Sequence, residues 1–73
     1  MVISFNPKYR LGDIVYPKID DENTMVVISY CIMAIDETGY VNHYNIGCSD
    51  HKGDVNYFRP YELELFSEVE KEK

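Results

Sequence analysis

Seventy-three residues of 8.6 kDa leave room for one domain and no second. A chain this short buries only about 60% of its unfolded surface, which excludes an enclosed cofactor cavity of the usual size and most multi-step enzymology with it. Thirteen Asp and Glu against seven Lys and Arg give a net charge of −6, and the cations Lys8, Arg10, Lys18, Lys52, Arg59, Lys71 and Lys73 are scattered. Phosphate-backbone binding draws its affinity from clustered Lys and Arg, so this distribution argues against DNA or RNA as a ligand.

The chain opens with a segment, residues 1–8, that reads as an arm ending at Asn6-Pro7-Lys8, where the proline biases Asn6 away from helix. Val2, Ile3 and Phe5 suit either an extra edge strand or docking on a neighbour. Met1–Phe5 lacks a basic flank and a long apolar stretch, so no secretory leader is expected. Leu11-Gly12-Asp13 then turns the chain into a first strand over Asp13–Ile19, in which Pro17 requires an edge or bulge position. Asp20-Asp21-Glu22-Asn23 is a polar loop. Thr24–Ile35 follows, with five Val or Ile among the eleven residues from Met25 to Ile35. Branched side chains at that density predict a strand, although the length alone would allow a buried helix.

Asp36-Glu37-Thr38-Gly39 closes a hairpin, its glycine supplying the positive φ that a bulged type I turn needs. Strand Tyr40–Cys48 and a second turn of the same kind, Ser49-Asp50-His51-Lys52-Gly53, come next. Asp54–Phe58 is a short strand, Arg59-Pro60-Tyr61-Glu62 predicts one turn of 3₁₀ helix, and Leu63–Phe66 is a last strand. Residues 67–73 alternate charge and are expected to fray as a tail. The pattern predicts an all-β domain over residues 9–66: a small five-stranded SH3-like barrel with a 3₁₀ turn before its last strand.

Tyr9-x-x-Gly12-Asp13-x-Val15-Tyr16 resembles the opening of SH3-like barrels of the Tudor and KOW type. Tyr44-x-x-x-Cys48 and Tyr61-Glu62-Leu63-Glu64-Leu65 are similar to a group of short bacterial and phage-encoded proteins of unassigned function. The resemblance implies the barrel and a phage or prophage setting. It carries over no catalytic residue, because the matching positions serve turns and core.

The residues with chemical potential are few. With a four-residue turn at Asp36–Gly39, Ile35 faces Tyr40 and Cys31 faces Tyr44, which places Cys48 about 13 Å from Cys31. A disulfide needs about 7 Å or less, so two free thiols are expected, in keeping with a cytoplasmic protein. His43, Cys48 and His51 form H-x4-C-x2-H, but His43 and Cys48 have opposite parity on one strand, which argues against both a zinc site and a Cys–His pair. No phosphate loop, serine elbow or paired catalytic carboxylate is present. No cofactor, no metal and no catalytic activity are expected, and the longest apolar run, Met25–Ile35, falls short of a membrane span of about 20 residues.

The informative anomaly is an apolar excess. Strict alternation puts Met25, Val27, Cys31, Met33 and Ile35 on one pleat face and Val26, Ile28, Tyr30, Ile32 and Ala34 on the other. Seven Tyr and three Phe exceed what one small core encloses. Tyrosine packs its ring while wetting its hydroxyl and is enriched at interfaces. The sequence therefore predicts a protein–protein interaction module, acting on a protein partner or as a homodimer, through Tyr16, Tyr30, Met33, Tyr40, Tyr44 and Tyr57. Two further readings remain: an acidic inhibitor that occupies a nucleic-acid-binding groove of a host or defence protein, and a nucleic-acid-binding barrel.

Overall fold

The computed structural model describes residues 2–20 and 22–66; the tail expected over 67–73 lies outside the described residues. Five strands, β1 (Ile14–Pro17), β2 (Met25–Ile35), β3 (Val41–Ser49), β4 (Val55–Phe58) and β5 (Leu63–Leu65), form one antiparallel sheet of order β4-β3-β2-β1-β5. A 3₁₀ turn, Pro60–Glu62, precedes β5. There the Arg59 amide donates to the Glu62 carboxylate (2.8 Å) and the Glu62 amide to the Arg59 carbonyl (2.9 Å), tying both ends of the turn.

Two hairpin turns share one chemistry. The Asp36 carboxylate accepts from the Thr38 and Tyr40 amides (2.9 and 3.0 Å), and Asp50 accepts from the Lys52 and Asp54 amides (2.9 and 3.0 Å). Gly39 and Gly53 follow at φ of 89° and 87°, the left-handed conformation that completes a three-residue hairpin loop. Pro17 pairs with Leu63 of β5, beyond the two residues of β1 that pair with β2, so its missing N–H interrupts no ladder.

The β2–β3 register differs from the expected one. Asp36 pairs with Tyr40 through its amide (2.9 Å), so Ile35 lies opposite Val41 and Cys31 opposite Asn45. The Asp36 side chain draws the turn in by one residue, and a one-residue slip changes every cross-strand partner. The two-faced alternation expected for β2 is also replaced. Register shifts between Val27 and Ser29 and between Ile32 and Ala34 make Ile28 and Met33 bulge residues. Tyr30 opposite Ile46 and Val27 opposite Cys48 consequently share a face, the buried one.

Only Arg59–Glu62 separate β4, at one edge of the sheet, from β5, at the other. Five flat strands would hold their outer members about 19 Å apart. A four-residue link containing a 3₁₀ turn is shorter than the roughly 18 Å of a fully extended one, so the sheet curls on itself. Tyr9, Val15, Met25, Val27, Ile46, Cys48 and Leu63 fill the interior, with Tyr30, Tyr44, Phe58 and Leu65 packed around them. No hydrogen-bonded pair joins β4 to β5 among the described residues, so the architecture is a coiled five-stranded sheet, and the closure expected of a barrel is not made by strand pairing.

Candidate interaction surface

β2 outruns the core. Its pairing with β1 is limited to Met25 and Val26, and its last backbone bonds on that side join Val27 to Gly12 and Asp13 (2.8 and 3.0 Å). From there β2 continues to Ile35 with β3 as its one strand partner among the described residues, and burial changes accordingly. Met25 and Val27 are buried, Ser29 and Tyr30 half-buried, and Cys31, Ile32, Met33, Ala34 and Ile35 all exposed. Five consecutive uncharged residues in water is the departure that the excess of branched side chains signalled.

The arm crosses one face of this hairpin. The Ser4 amide donates to the Gly39 carbonyl (2.8 Å) and the Val41 amide to the Ser4 carbonyl (2.9 Å), a parallel bridge on the outer edge of β3. The Phe5 ring stands edge-on to Tyr30 and Tyr44, at centroid distances of 5.1 and 5.0 Å. The Tyr44 hydroxyl accepts from the Lys8 amide (2.8 Å), and the Tyr30 hydroxyl donates to the Tyr9 carbonyl (2.6 Å). Burial raises the Tyr30 phenol above its ordinary value, with the Asp13 charge adding to the effect. Of the two roles open to Val2, Ile3 and Phe5, the arm takes a version of the first: one bridge at Ser4, anchored by Phe5.

The predicted contact residues therefore separate. Tyr16 is 3% exposed, with its hydroxyl donated to Glu64, so it belongs to the interior and cannot reach a partner. Tyr30 and Tyr44 are half-buried beneath Phe5. Met33 (53% exposed) and Tyr40 (46%) lie together in the outer hairpin with Ile32 and Ile35. Tyr57 (57%) stands apart on β4, over Gly47, where an added Cβ would come within 3.0 Å of its ring and overlap Ser29 Oγ. Ile3 (53% exposed) and Ile32 (44%) join this surface although the predicted contact set did not include them, and Phe5, which the sequence left open between edge strand and docking, anchors the arm. The one signal was an aromatic placed two residues before the proline of the arm.

Other chemistry is sparse. Cys31 and Cys48 are free thiols, Cys31 exposed and Cys48 buried. Burial pushes the Cys48 thiol up to about 11, so it stays protonated and unreactive at neutral pH. His43 Nε2 lies 2.9 Å from an Arg59 guanidinium nitrogen, which makes it the acceptor and leaves the imidazole proton on Nδ1. Among the described residues no three His, Cys, Asp or Glu side chains converge on a point. Open clefts among the described residues include ones of about 130 to 310 Å³, at or below the lower end of small-molecule sites.

Charge gives the hairpin a sign. No Lys or Arg occurs between Lys18 and Lys52, and the hairpin tip carries Asp36 and Glu37. The hydrogen bond from the Thr38 side chain and the amide of Tyr40 hold the Asp36 carboxyl below the usual carboxylate range. The nearest cation along the chain to the free edge of β2 is Lys18, ten residues before Ile28, and the Asp13 carboxylate at the base of that edge accepts from the Arg10 backbone amide (2.9 Å). Comparison with protein-family models, with curated proteins and with solved structures finds no match to this chain.

Proposed function

We propose that this chain is a non-enzymatic protein-interaction module, an SH3-like sheet that works in the cytoplasm in a phage or mobile-element setting. The observation that carries the reading is the outer half of β2, where Cys31–Ile35 are exposed without a charged side chain and adjoin exposed Tyr40. A run of exposed apolar side chains on both faces of a strand with one open edge is the kind of surface that contact sites use. Met33 gives it an adaptable centre. The resemblance of the Tyr44-x-x-x-Cys48 and Tyr61–Leu65 segments to short bacterial and phage-encoded proteins supplies the setting. A photo-cross-linking residue at position 33, compared with one at position 52 in the native cells, tests the reading. A discrete adduct from position 33 alone is expected; equal or absent labelling at both positions would refute it.

A second reading, an inhibitor that competes for a nucleic-acid-binding groove, draws support from the cation-free stretch between Lys18 and Lys52. It predicts a basic partner and steep weakening with salt. Direct nucleic-acid binding finds no such support, since the same stretch removes the cations that a phosphate track needs.

A further inference from the structure

β2 ends the core with an open edge. Beyond Val27 its backbone makes no hydrogen bond, among the described residues, on the side away from β3, so alternate N–H and C=O groups up to Ile35 face outward unpaired. The corresponding edge of β3 is better guarded. Ser4 bridges it at Tyr40–Val41, β4 pairs Ile46–Ser49, and Arg59 reaches His43 between them. An open strand edge is a template for another extended chain.

Three observations choose the occupant. The edge segment Val26–Ile35 carries no charge, so its side-chain contacts are apolar. Its ends are acidic, with Asp36 and Glu37 at the tip and Asp13 at the base, its carboxylate held by the Arg10 backbone amide. Bulges at Ile28 and Met33 leave only Ser29–Ile32 in regular register. Two rigid copies meeting edge to edge would pair over that short window alone, while bringing together two chains of net charge −6. A flexible segment can follow the bulged twist along its whole length.

We propose that the β2 edge from Ile28 to Ile35 receives, as an added strand, an extended segment of another protein in which apolar residues alternate with Lys or Arg. The inference rests on the interaction-module reading and names the partner chemistry of that surface. The test titrates ¹⁵N-labelled protein with three eight-residue peptides in which valine alternates with lysine, threonine or glutamate. The lysine peptide is expected to shift the Ile28–Ile35 amides, to slow their hydrogen exchange, to bind at least tenfold tighter than the glutamate peptide, and to weaken several-fold between 50 and 300 mM salt. Glu37→Gln, at an exposed loop residue, is expected to weaken it about threefold without changing the fold.

Equal binding of all three peptides at Ile28–Ile35 overturns the charge assignment and leaves the interaction module standing. Protection of those amides in a concentration-dependent dimer overturns the proposal in favour of a second copy. Shifts confined to other strands overturn the edge as the site, and only if position 33 also gives no cross-link does the module fall with it.

Discussion

Truncating Phe5 to alanine probes how the arm is held. Its ring makes two edge-to-face contacts, with Tyr30 and Tyr44. Each is worth about 0.5–1.5 kcal/mol, and half-burial of the ring adds about 1 kcal/mol of transfer free energy. Releasing the arm returns backbone entropy, which offsets part of this sum. The expected net loss is about 2 kcal/mol, a large share of the roughly 4–11 kcal/mol available to a domain of this size. Thermal unfolding should fall by roughly 8–16 °C, at about 4–8 °C per kcal/mol. Phe5→Leu keeps apolar burial without the ring edge and should recover about half. The Val41 amide, which donates to Ser4 in the native fold, should exchange much faster in the alanine variant. A loss below about 0.5 kcal/mol with unchanged Val41 exchange would refute the arm as part of the fold.

Other expectations follow from single contacts. Gly47→Ala places a methyl against Ser29 and the Tyr57 ring and should cost about 1–3 kcal/mol in denaturant unfolding, with Ser29→Gly recovering much of it; a neutral Gly47→Ala would contradict the close approach there. Cys31 should react with a thiol reagent in the native protein and Cys48 only after unfolding, so simultaneous labelling of both would be contrary evidence. Because the folded Cys48 thiol titrates at about 11 rather than near 9, its contribution is complete below pH 9 and is lost as pH rises towards 11. The raised Tyr30 phenol adds to the same alkaline decline. Stability measured from pH 8 to 11 should therefore fall, and Cys48→Ala should flatten the slope while lowering the starting value.

The strands were legible because their signals are local. Branched residues mark β2, two Asp-x-x-Gly turns delimit the β2–β3 and β3–β4 hairpins, and Arg59-Pro60 announces the 3₁₀ turn; each element appears within a few residues of its expected bounds. What escaped depends on longer-range competition. Asp36 captures the Tyr40 amide and shifts the register by one, which no propensity records. The bulges at Ile28 and Met33 send Tyr30 to the core face and break the alternation assumed for β2. Tyr16 and Tyr57 are the same residue type, yet one is buried on β1 against β5 and the other sits exposed on β4, at a sheet edge. Seven tyrosines signalled surplus rings; only the fold assigned them to inside and outside.

Paramagnetic attenuation of side-chain methyl signals by a soluble gadolinium chelate measures the uncovered half of β2 directly. In the isolated protein the Ile32, Met33 and Ile35 methyls should be quenched about as strongly as those of the similarly exposed Ile3 and Ile14, while Val27 and Ile46 are spared. Methyls of Ile32, Met33 and Ile35 as well shielded as Ile46 in a dilute monomer would mean that the chain already covers its own hairpin, and the surface would have nothing left to offer a partner.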